Sequence, residues 1–262
     1  MYDPCNTLPF IGEFSTEQEI EHMAQTLIQR SFASFKRHLP PWAYNPIRSI
    51  GTALIGPFLA AHRSGYLLSS FRMAAVSKDG SPIPWYTYPS IDFLKYRNFK
   101  DKVVLEFGGG QSSLWWADRA KQVVTLEGDD EWYAKIRRSI PGNVDLHLVT
   151  MESREANISA VMRTLDSAGY SRYDVIVIDG LYRDEMIEVA LGRMSEDGII
   201  ICDNAEGYGF YDGFKESGLW RVDFFGNAPG VVLPHSTSIY FNSASCFIFD
   251  AAYRIPVIAH ES

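Results

Sequence analysis

From Lys102 onward, short apolar runs alternate with segments whose apolar residues recur at helical spacing. Runs such as 175–178 and 199–201 are apolar without alternation, which is typical of parallel strands covered on both faces. This pattern predicts an α/β fold with a mostly parallel sheet. The predicted strands are 102–106, 122–127, 143–149, 173–178, 197–202, 219–225, 236–242 and 245–250. The predicted helices of this region are 111–120, 130–139, 153–169, 183–194 and 208–217.

The two ends of the chain follow different patterns. The last two strand candidates are close enough in sequence for a hairpin through 242–244, which predicts antiparallel strands at the C-terminal end of the sheet. Before the alternating region, helical spacing predicts helices over 15–39 and 57–76. Pro40 and Pro41 are expected to stop the first of them.

Length and charge narrow the class of protein. The 262 residues fit one domain with an N-terminal helical extension, and we place the extension at 1–83 and the domain at 84–262. The net charge of −8 argues against a duplex nucleic-acid partner, which would require a basic face. The acidic N-terminus is not typical of a secretory signal, and the most lipid-like segment, 50–61, is too short to span a bilayer. We expect a soluble cytoplasmic protein with no nucleic-acid partner and no stable membrane insertion.

A strand candidate that ends in a glycine-rich loop is the strongest chemical signal. The strand contains Glu106 and is followed by Gly108, Gly109 and Gly110. In an open α/β sheet a ligand lies at this point, because glycine lets the backbone approach it closely. Glu127 ends the next strand candidate, where a carboxylate can accept hydrogen bonds from ribose hydroxyls. These residues predict a nucleoside-cofactor site, although the glycines alone could simply form a tight turn.

The Glu-x-Gly-x-Gly sequence, the order of elements and the antiparallel finish resemble the class I S-adenosylmethionine-dependent methyltransferases. The resemblance extends over residues 84–250. It implies a Rossmann-like, doubly wound, seven-stranded sheet and a methyltransferase domain over 84–262. A protein that binds NAD or FAD would normally have a third glycine where this chain has Ser113.

The resemblance also assigns residues to S-adenosylmethionine. In the family, the first-strand acid and the glycine loop hold the methionine portion, and the second-strand acid holds the ribose. The aromatic segment before the sheet often closes over the cofactor, or it packs a helix onto the sheet, and the loop after the third strand meets the adenine. The residues at these positions are Glu106, Gly108, Gly110, Ser112, Ser113, Glu127, Glu152, Ser153, Trp85 and Tyr88.

Oxygen-bearing side chains follow the fourth and fifth strand candidates. In the catechol and caffeoyl-coenzyme A types of O-methyltransferase, residues at these positions bind a divalent cation. The resemblance therefore implies a metal site at Asp179, Asp203 and Asn204, and two carboxylates with an amide oxygen suit Mg²⁺. The alternative is that Asp179 forms a turn and that the Asp-Asn pair caps the next segment.

The sequence does not decide which group deprotonates the acceptor. The catechol-type lysine, three residues after the first metal ligand, corresponds to Tyr182, with Arg183 next. The candidates for catalysis are Asp179, Tyr182, His235 and a metal-bound hydroxide, and the pKa range of His235 suits a base near neutral pH. Arg183 could bind an anionic group of the acceptor or lie in solvent.

These expectations describe an S-adenosylmethionine-dependent O-methyltransferase that acts on a hydroxyl of a small molecule, sugar, glycan or secondary metabolite, with Mg²⁺ as the assisting ion. The N-terminal extension is expected to cover the acceptor, to form a homodimer contact, or both. One alternative is an aminopropyltransferase of the same fold, which usually carries a second acid after the fourth strand that this chain lacks. The other is a non-catalytic module that only binds a nucleoside.

Overall fold

The structure, a computed structural model, describes residues 30, 34, 36–149, 153–180, 182–243 and 246–250. The chain falls into two compact units, Met1–Leu59 and Ala60–Ser262. The boundary that we place after residue 83 from the sequence stays a prediction.

Helices precede the sheet and then alternate with its strands. The strands are β1 (Val103–Phe107), β2 (Gln122–Glu127), β3 (Val144–Leu148), β4 (Tyr173–Ile178), β5 (Met194–Asp203), β6 (Trp220–Gly226) and β7 (His235–Phe241). The helices are α1 (Pro41–Arg63), α2 (Tyr66–Arg72), α3 (Tyr88–Leu94), α4 (Gln111–Ala117), α5 (Asp130–Ile136), α6 (Arg154–Ser167), α7 (Met186–Arg193) and α8 (Phe210–Gly213). Single 3₁₀ turns occur at Arg183–Glu185 and Phe247–Phe249.

Within the described residues, the strands form one seven-stranded sheet in the order β3-β2-β1-β4-β5-β7-β6. The neighbours among β1 to β5 are parallel, whereas β7 is antiparallel to both β5 and β6. The predicted Rossmann-like sheet, mostly parallel with an antiparallel finish, is confirmed. The strand order reverses between β1 and β4, and the loops after such strands border a crevice at the C-terminal edge of the sheet.

The unalternating apolar runs are explained by burial on both faces of the sheet. Leu105 and Ile176 belong to one apolar cluster, and Val104 and Val175 belong to a second cluster. All four side chains are fully buried. Because neighbouring residues of a strand point to opposite faces, both faces of these strands lie in a core.

The C-terminal hairpin predicted from the sequence is wrong. β7 pairs with β5 on one side and with β6 on the other, so the antiparallel strand is inserted between them. Phe247–Phe249, which we predict as part of a strand over 245–250, forms a 3₁₀ turn. Ile248 of this turn is fully buried in the second apolar cluster, so its apolar character serves core packing and not strand pairing.

The N-terminal helices also differ from the prediction. The helix predicted over 57–76 is interrupted, since α1 ends at Arg63 and Gly65 adopts a left-handed conformation with φ of 82°. Pro41 is the first residue of α1, a position where a missing backbone N–H has no cost. Most of the helix predicted over 15–39 lies outside the described residues. None of the helices that the structure describes is long and apolar enough to cross a bilayer.

Candidate active site

Two glycines allow the loops after β1 and β4 to touch. Gly108 has φ of 99°, a conformation that side chains rarely adopt. A Cβ atom on Gly108 would lie 2.7 Å from the Cα atom of Gly180, and one on Gly180 would lie 2.9 Å from the backbone oxygen of Phe107. The glycines are therefore needed for close backbone packing at the point where the strand order reverses.

Glu127 is held at the end of β2 by backbone donors. Its Oε2 accepts a hydrogen bond from the N–H of Gly109 at 2.9 Å. Its Oε1 accepts hydrogen bonds from the N–H groups of Gly128 at 2.8 Å and Asp129 at 2.9 Å. The side chain is buried but lines the cavity described below, so its carboxylate is a rigid acceptor at the wall of that cavity.

Glu106 has different surroundings, although it lies in the neighbouring strand. It is fully buried, does not line the cavity, and accepts one hydrogen bond from the Thr125 hydroxyl at 3.1 Å. Its Oε1 atom has no hydrogen-bond partner. Burial raises the pKa of Glu106 to about 7, while the hydroxyls of Ser113 and Ser112 oppose the rise. In this structure Glu106 is buried away from the cavity that Glu127 lines.

An open cavity of about 1020 Å³ lies against the loops that follow β1, β2, β4 and β5. It contains most of the residues that the sequence predicts for both the cofactor and the acceptor. The predicted residues in its wall are Trp85, Gly108, Gly110, Ser112, Glu127, Asp179, Tyr182, Asp203, Asn204 and His235. The structure therefore brings the glycine loop and the polar residues after β4 and β5 into one cavity.

The remaining predicted cofactor contacts lie elsewhere. Ser113 is fully buried, and its hydroxyl accepts a hydrogen bond from the N–H of Gly110 at 3.1 Å. Tyr88 packs against the second apolar cluster as the first residue of α3. Ser153 is the N-cap of α6, where it accepts a bond from the N–H of Ala156. Glu152 lies outside the described residues.

Two tryptophans line the cavity on the side of the glycine loop. The indole N–H of Trp132 donates to the backbone oxygen of Gly109 at 2.6 Å. Trp85 is partly exposed, and its indole N–H donates to the backbone oxygen of Pro229 at 3.0 Å. Aromatic faces in these positions can pack against an adenine ring or attract a cation.

Arg183 joins the three residues that the sequence predicts as metal ligands. Its guanidinium forms an ion pair with Asp179 at 2.9 Å. It also donates to the side-chain oxygen of Asn204 at 3.0 Å, to the backbone oxygen of Asp203 at 2.6 Å and to the backbone oxygen of Gly180 at 3.0 Å. The guanidinium packs over the Tyr208 ring, 4.5 Å from its centroid. A fixed cation therefore already lies between these oxygen atoms.

This arrangement does not fit a divalent cation. Mg²⁺ requires several oxygen ligands in octahedral geometry, and the side-chain oxygens of Asp179 and Asn204 are bound to Arg183 instead. In the described part of the chain, no three His, Cys, Asp or Glu side chains are grouped so as to hold a metal ion. The sequence predicts the three oxygen-bearing residues, but it contains no signal that Arg183 is their partner.

The Asp203 carboxylate is shared by two side chains of β7. Its Oδ1 accepts a hydrogen bond from the Thr237 hydroxyl at 2.8 Å and lies 3.3 Å from Nε2 of His235. The interaction with Asp203 raises the pKa of His235, while burial opposes the rise. Thr237, which sequence reasoning missed, also accepts a hydrogen bond from the N–H of Thr87 at 2.9 Å. Its register opposite Asp203 in the β5–β7 pair is a signal that only the sheet topology supplies.

Asp179 and Tyr182 complete this end of the cavity. Burial, followed by the charge of Asp203, raises the pKa of Asp179, and Arg183 acts in the opposite direction. Tyr182 is largely exposed and has φ of 56°, an uncommon conformation for an aromatic residue. Among the three predicted catalytic residues, His235 is the one that combines a cavity position with a carboxylate partner that raises the pKa of its imidazole.

Similar solved structures come from several groups of enzymes. No family model and no curated protein matches the sequence. Precorrin-6y C5,15-methyltransferase from Geobacter metallireducens GS-15 is 17% identical, with a TM-score of 0.48, and the match covers 66% of this chain and 96% of that chain. The O-methyltransferase from Bacillus cereus in complex with SAH is 14% identical, with a TM-score of 0.46, over 75% of this chain and 96% of that chain.

Spermidine synthase from Thermotoga maritima is also similar to the chain, at 16% identity and a TM-score of 0.40. The match covers 60% of this chain and 62% of that chain. These similarities concern the fold, and the function proposed below rests on the residues of the cavity.

Proposed function

We propose that this protein transfers a methyl group from S-adenosylmethionine to a hydroxyl group of a small molecule, sugar or glycan. The observation that carries the proposal is a single cavity that is lined by the glycine loop and Glu127 and also by His235 and Asp203. The first pair has the chemistry of a nucleoside site, and the second pair has the chemistry of an acid–base site. Methyl transfer from a nucleoside cofactor to a hydroxyl requires the nucleoside site and the acid–base site in one cavity.

The residues beside the glycine loop fit the cofactor. Glu127 keeps one free acceptor site, on Oε2 of a carboxylate whose position is fixed by three backbone donors, which suits a ribose hydroxyl. Gly110 leaves the entrance to α4 open, since a Cβ atom there would have only the Trp132 ring within 4 Å. Trp132 and Trp85 offer aromatic surfaces nearby.

In the proposed reaction, His235 accepts the proton of the acceptor hydroxyl. S-adenosylmethionine, when bound, supplies a methyl group on a positively charged sulfur. The acceptor oxygen forms a bond to the methyl carbon, the carbon–sulfur bond breaks, and its electron pair stays on sulfur. Asp203 stabilises the charge that His235 gains, because it lies 3.3 Å from Nε2. Alignment of the two partners within about 3–3.5 Å by the cavity walls would supply much of the rate enhancement.

Arg183 binds two of the side chains that the resemblance to the catechol-type enzymes assigns to a metal ion. It holds Asp179 and Asn204 in position and contributes positive charge to the cavity wall. We propose that the reaction proceeds with His235 as the base and without Mg²⁺ between these ligands. The acceptor hydroxyl would then bind beside His235, in the cavity that the proposed cofactor residues also line.

Calorimetric titration and a product screen test the proposal. We expect S-adenosylmethionine to bind with one site per chain and NAD not to bind. Incubation with hydroxylated small molecules and sugars should yield products that are heavier by one methyl group in mass spectrometry. Binding of NAD in place of S-adenosylmethionine would overturn the cofactor assignment, and tight cofactor binding without turnover on any acceptor would favour a non-catalytic module.

A further inference from the structure

Helix α1 exposes an apolar face along its whole length. Trp42, Ile50, Leu54 and Phe58 are 79%, 60%, 72% and 61% exposed, and Ile47 is exposed as well. At 100° per residue these five positions lie on one side of the helix. No residue of this fully described helix is buried. An exposed apolar face of this size indicates a site that binds a membrane or another protein.

The charges of this region differ from those of the rest of the chain. Between Glu21 and Asp79 the sequence contains no acidic residue and seven Lys or Arg residues. The whole chain nevertheless has a net charge of −8. Arg48 and Arg63 of α1 lie on the side opposite the apolar face. That side also carries polar Thr52 and the apolar residues Ile55 and Leu59. The apolar face therefore lies in a segment with a net positive charge, although the whole protein is acidic.

We infer that α1 binds the surface of an anionic lipid bilayer and lies in the plane of its headgroups. A helix that combines Trp, Phe and Leu on one face with basic residues on the other is suited to this interface. Tryptophan is favoured at the boundary between headgroups and acyl chains, where Trp42 near the start of α1 would lie. The inference does not depend on the proposed methyl transfer.

The charge pattern favours a lipid surface over a second copy of the chain. Two copies that met through α1 would bring their basic segments together, and like charges in contact oppose association. An anionic bilayer instead attracts each added Lys or Arg near its surface, and this attraction weakens as salt is added. The apolar face and the basic segment together provide the two signals that stable surface binding requires.

Vesicle co-sedimentation of the full chain tests this inference. The probes are vesicles of phosphatidylcholine mixed with phosphatidylglycerol, and vesicles of phosphatidylcholine alone. We expect binding to the mixed vesicles to exceed binding to the neutral ones and to decrease as sodium chloride is added. Equal binding to both vesicle types, or no binding to either, would overturn the inference.

A matched pair of variants separates the apolar face from charge alone. Leu54→Asp places a charge on the apolar face, and Thr52→Asp places the same charge on the opposite side of α1. Leu54→Asp should lower the partition coefficient by about tenfold or more, because an apolar anchor is replaced by a charged group. Thr52→Asp should lower it only by about fivefold, the effect of one unit of charge near the surface.

Control measurements keep the result specific. Both variants should melt at the same temperature as the parent protein, since both side chains are exposed, and both should bind S-adenosylmethionine as the parent does. Equal vesicle binding by the two variants would contradict the role of the apolar face. A dimer that light scattering detects and that Leu54→Asp dissociates, together with no vesicle binding, would show that a second copy covers α1.

Discussion

Glu106 and Glu127 are carboxylates of paired strands with opposite surroundings. Glu127 accepts three backbone hydrogen bonds at the cavity wall, whereas Oε1 of Glu106 has no partner in the core. Backbone donors stabilise the charged form of a carboxylate, and burial favours the neutral form. Residues of the same type in paired strands therefore have different chemistry, and only Glu127 is placed to contact a ligand in the cavity.

Glu127→Ala should weaken binding of S-adenosylmethionine by roughly 1.5–3 kcal/mol, the usual range for hydrogen bonds to a charged acceptor. Titration calorimetry measures this change directly. Glu188→Ala is a suitable control, because Glu188 is an exposed residue of α7 outside the cavity. An unchanged dissociation constant in Glu127→Ala would remove Glu127 from the cofactor site.

His235→Asn should lower kcat by a factor of about 10²–10⁴, the usual contribution of a general base, and should leave the dissociation constant of S-adenosylmethionine unchanged. Asp203 raises the pKa of His235, so Asp203→Asn should lower that pKa. Because the base acts in its neutral form, the acidic limb of the kcat profile should then move to lower pH. Full activity of His235→Asn would assign the base to another group.

At the scale of elements, the site depends on how closely the loops approach each other. Gly108→Ala should destabilise the protein by roughly 2–4 kcal/mol, through the strain of positive φ and a backbone contact at Gly180. Gly110→Ala is the matched control, because its backbone is extended and its Cβ would meet only the Trp132 ring, at 3.8 Å. Urea unfolding measures both values. Equal destabilisation by the two variants would contradict this account.

The loops after β4 and β5 are joined by Arg183, so removal of metal should have no effect on the parent protein. EDTA is expected to leave turnover and melting temperature unchanged.

Arg183→Ala should lose roughly 2–4 kcal/mol of stability, because it leaves Asp179 and Asn204 without their partner. Added Mg²⁺ should then raise the melting temperature of Arg183→Ala and not that of the parent. Turnover that EDTA abolishes in the parent would contradict this prediction.

At the scale of the whole molecule, the buried Glu106 should make global stability depend on pH. Its pKa is raised from 4.5 to about 7, so the folded state holds the proton that the unfolded state releases. The stabilising contribution is complete below pH 4.5 and is lost as pH rises through about 7. The loss amounts to on the order of 3 kcal/mol.

Glu106→Gln should remove this part of the pH dependence, because its amide has no proton to release. Urea unfolding of both proteins at several pH values between 4.5 and 7 makes the comparison. Parallel stability curves for the parent and Glu106→Gln would show that Glu106 is not the titrating group.

Much of the fold follows from local patterns that the sequence contains. β1, β2 and β4 are predictable because their apolar runs supply buried side chains to both faces of a parallel sheet. Gly108 and Glu127 are predictable because ligand approach and ribose binding require particular residue types at strand ends. These requirements act within a few residues of the chain, so the sequence alone expresses them.

The remaining features depend on residues that are distant in the chain. The insertion of β7 between β5 and β6, the partnership of Thr237 and His235 with Asp203, and the binding of Arg183 to Asn204 each join separate segments. The burial of Glu106 away from the cavity likewise depends on the packing of the residues around it. Tertiary structure decided these points, because the direction and burial of a side chain depend on packing between elements that no local pattern encodes.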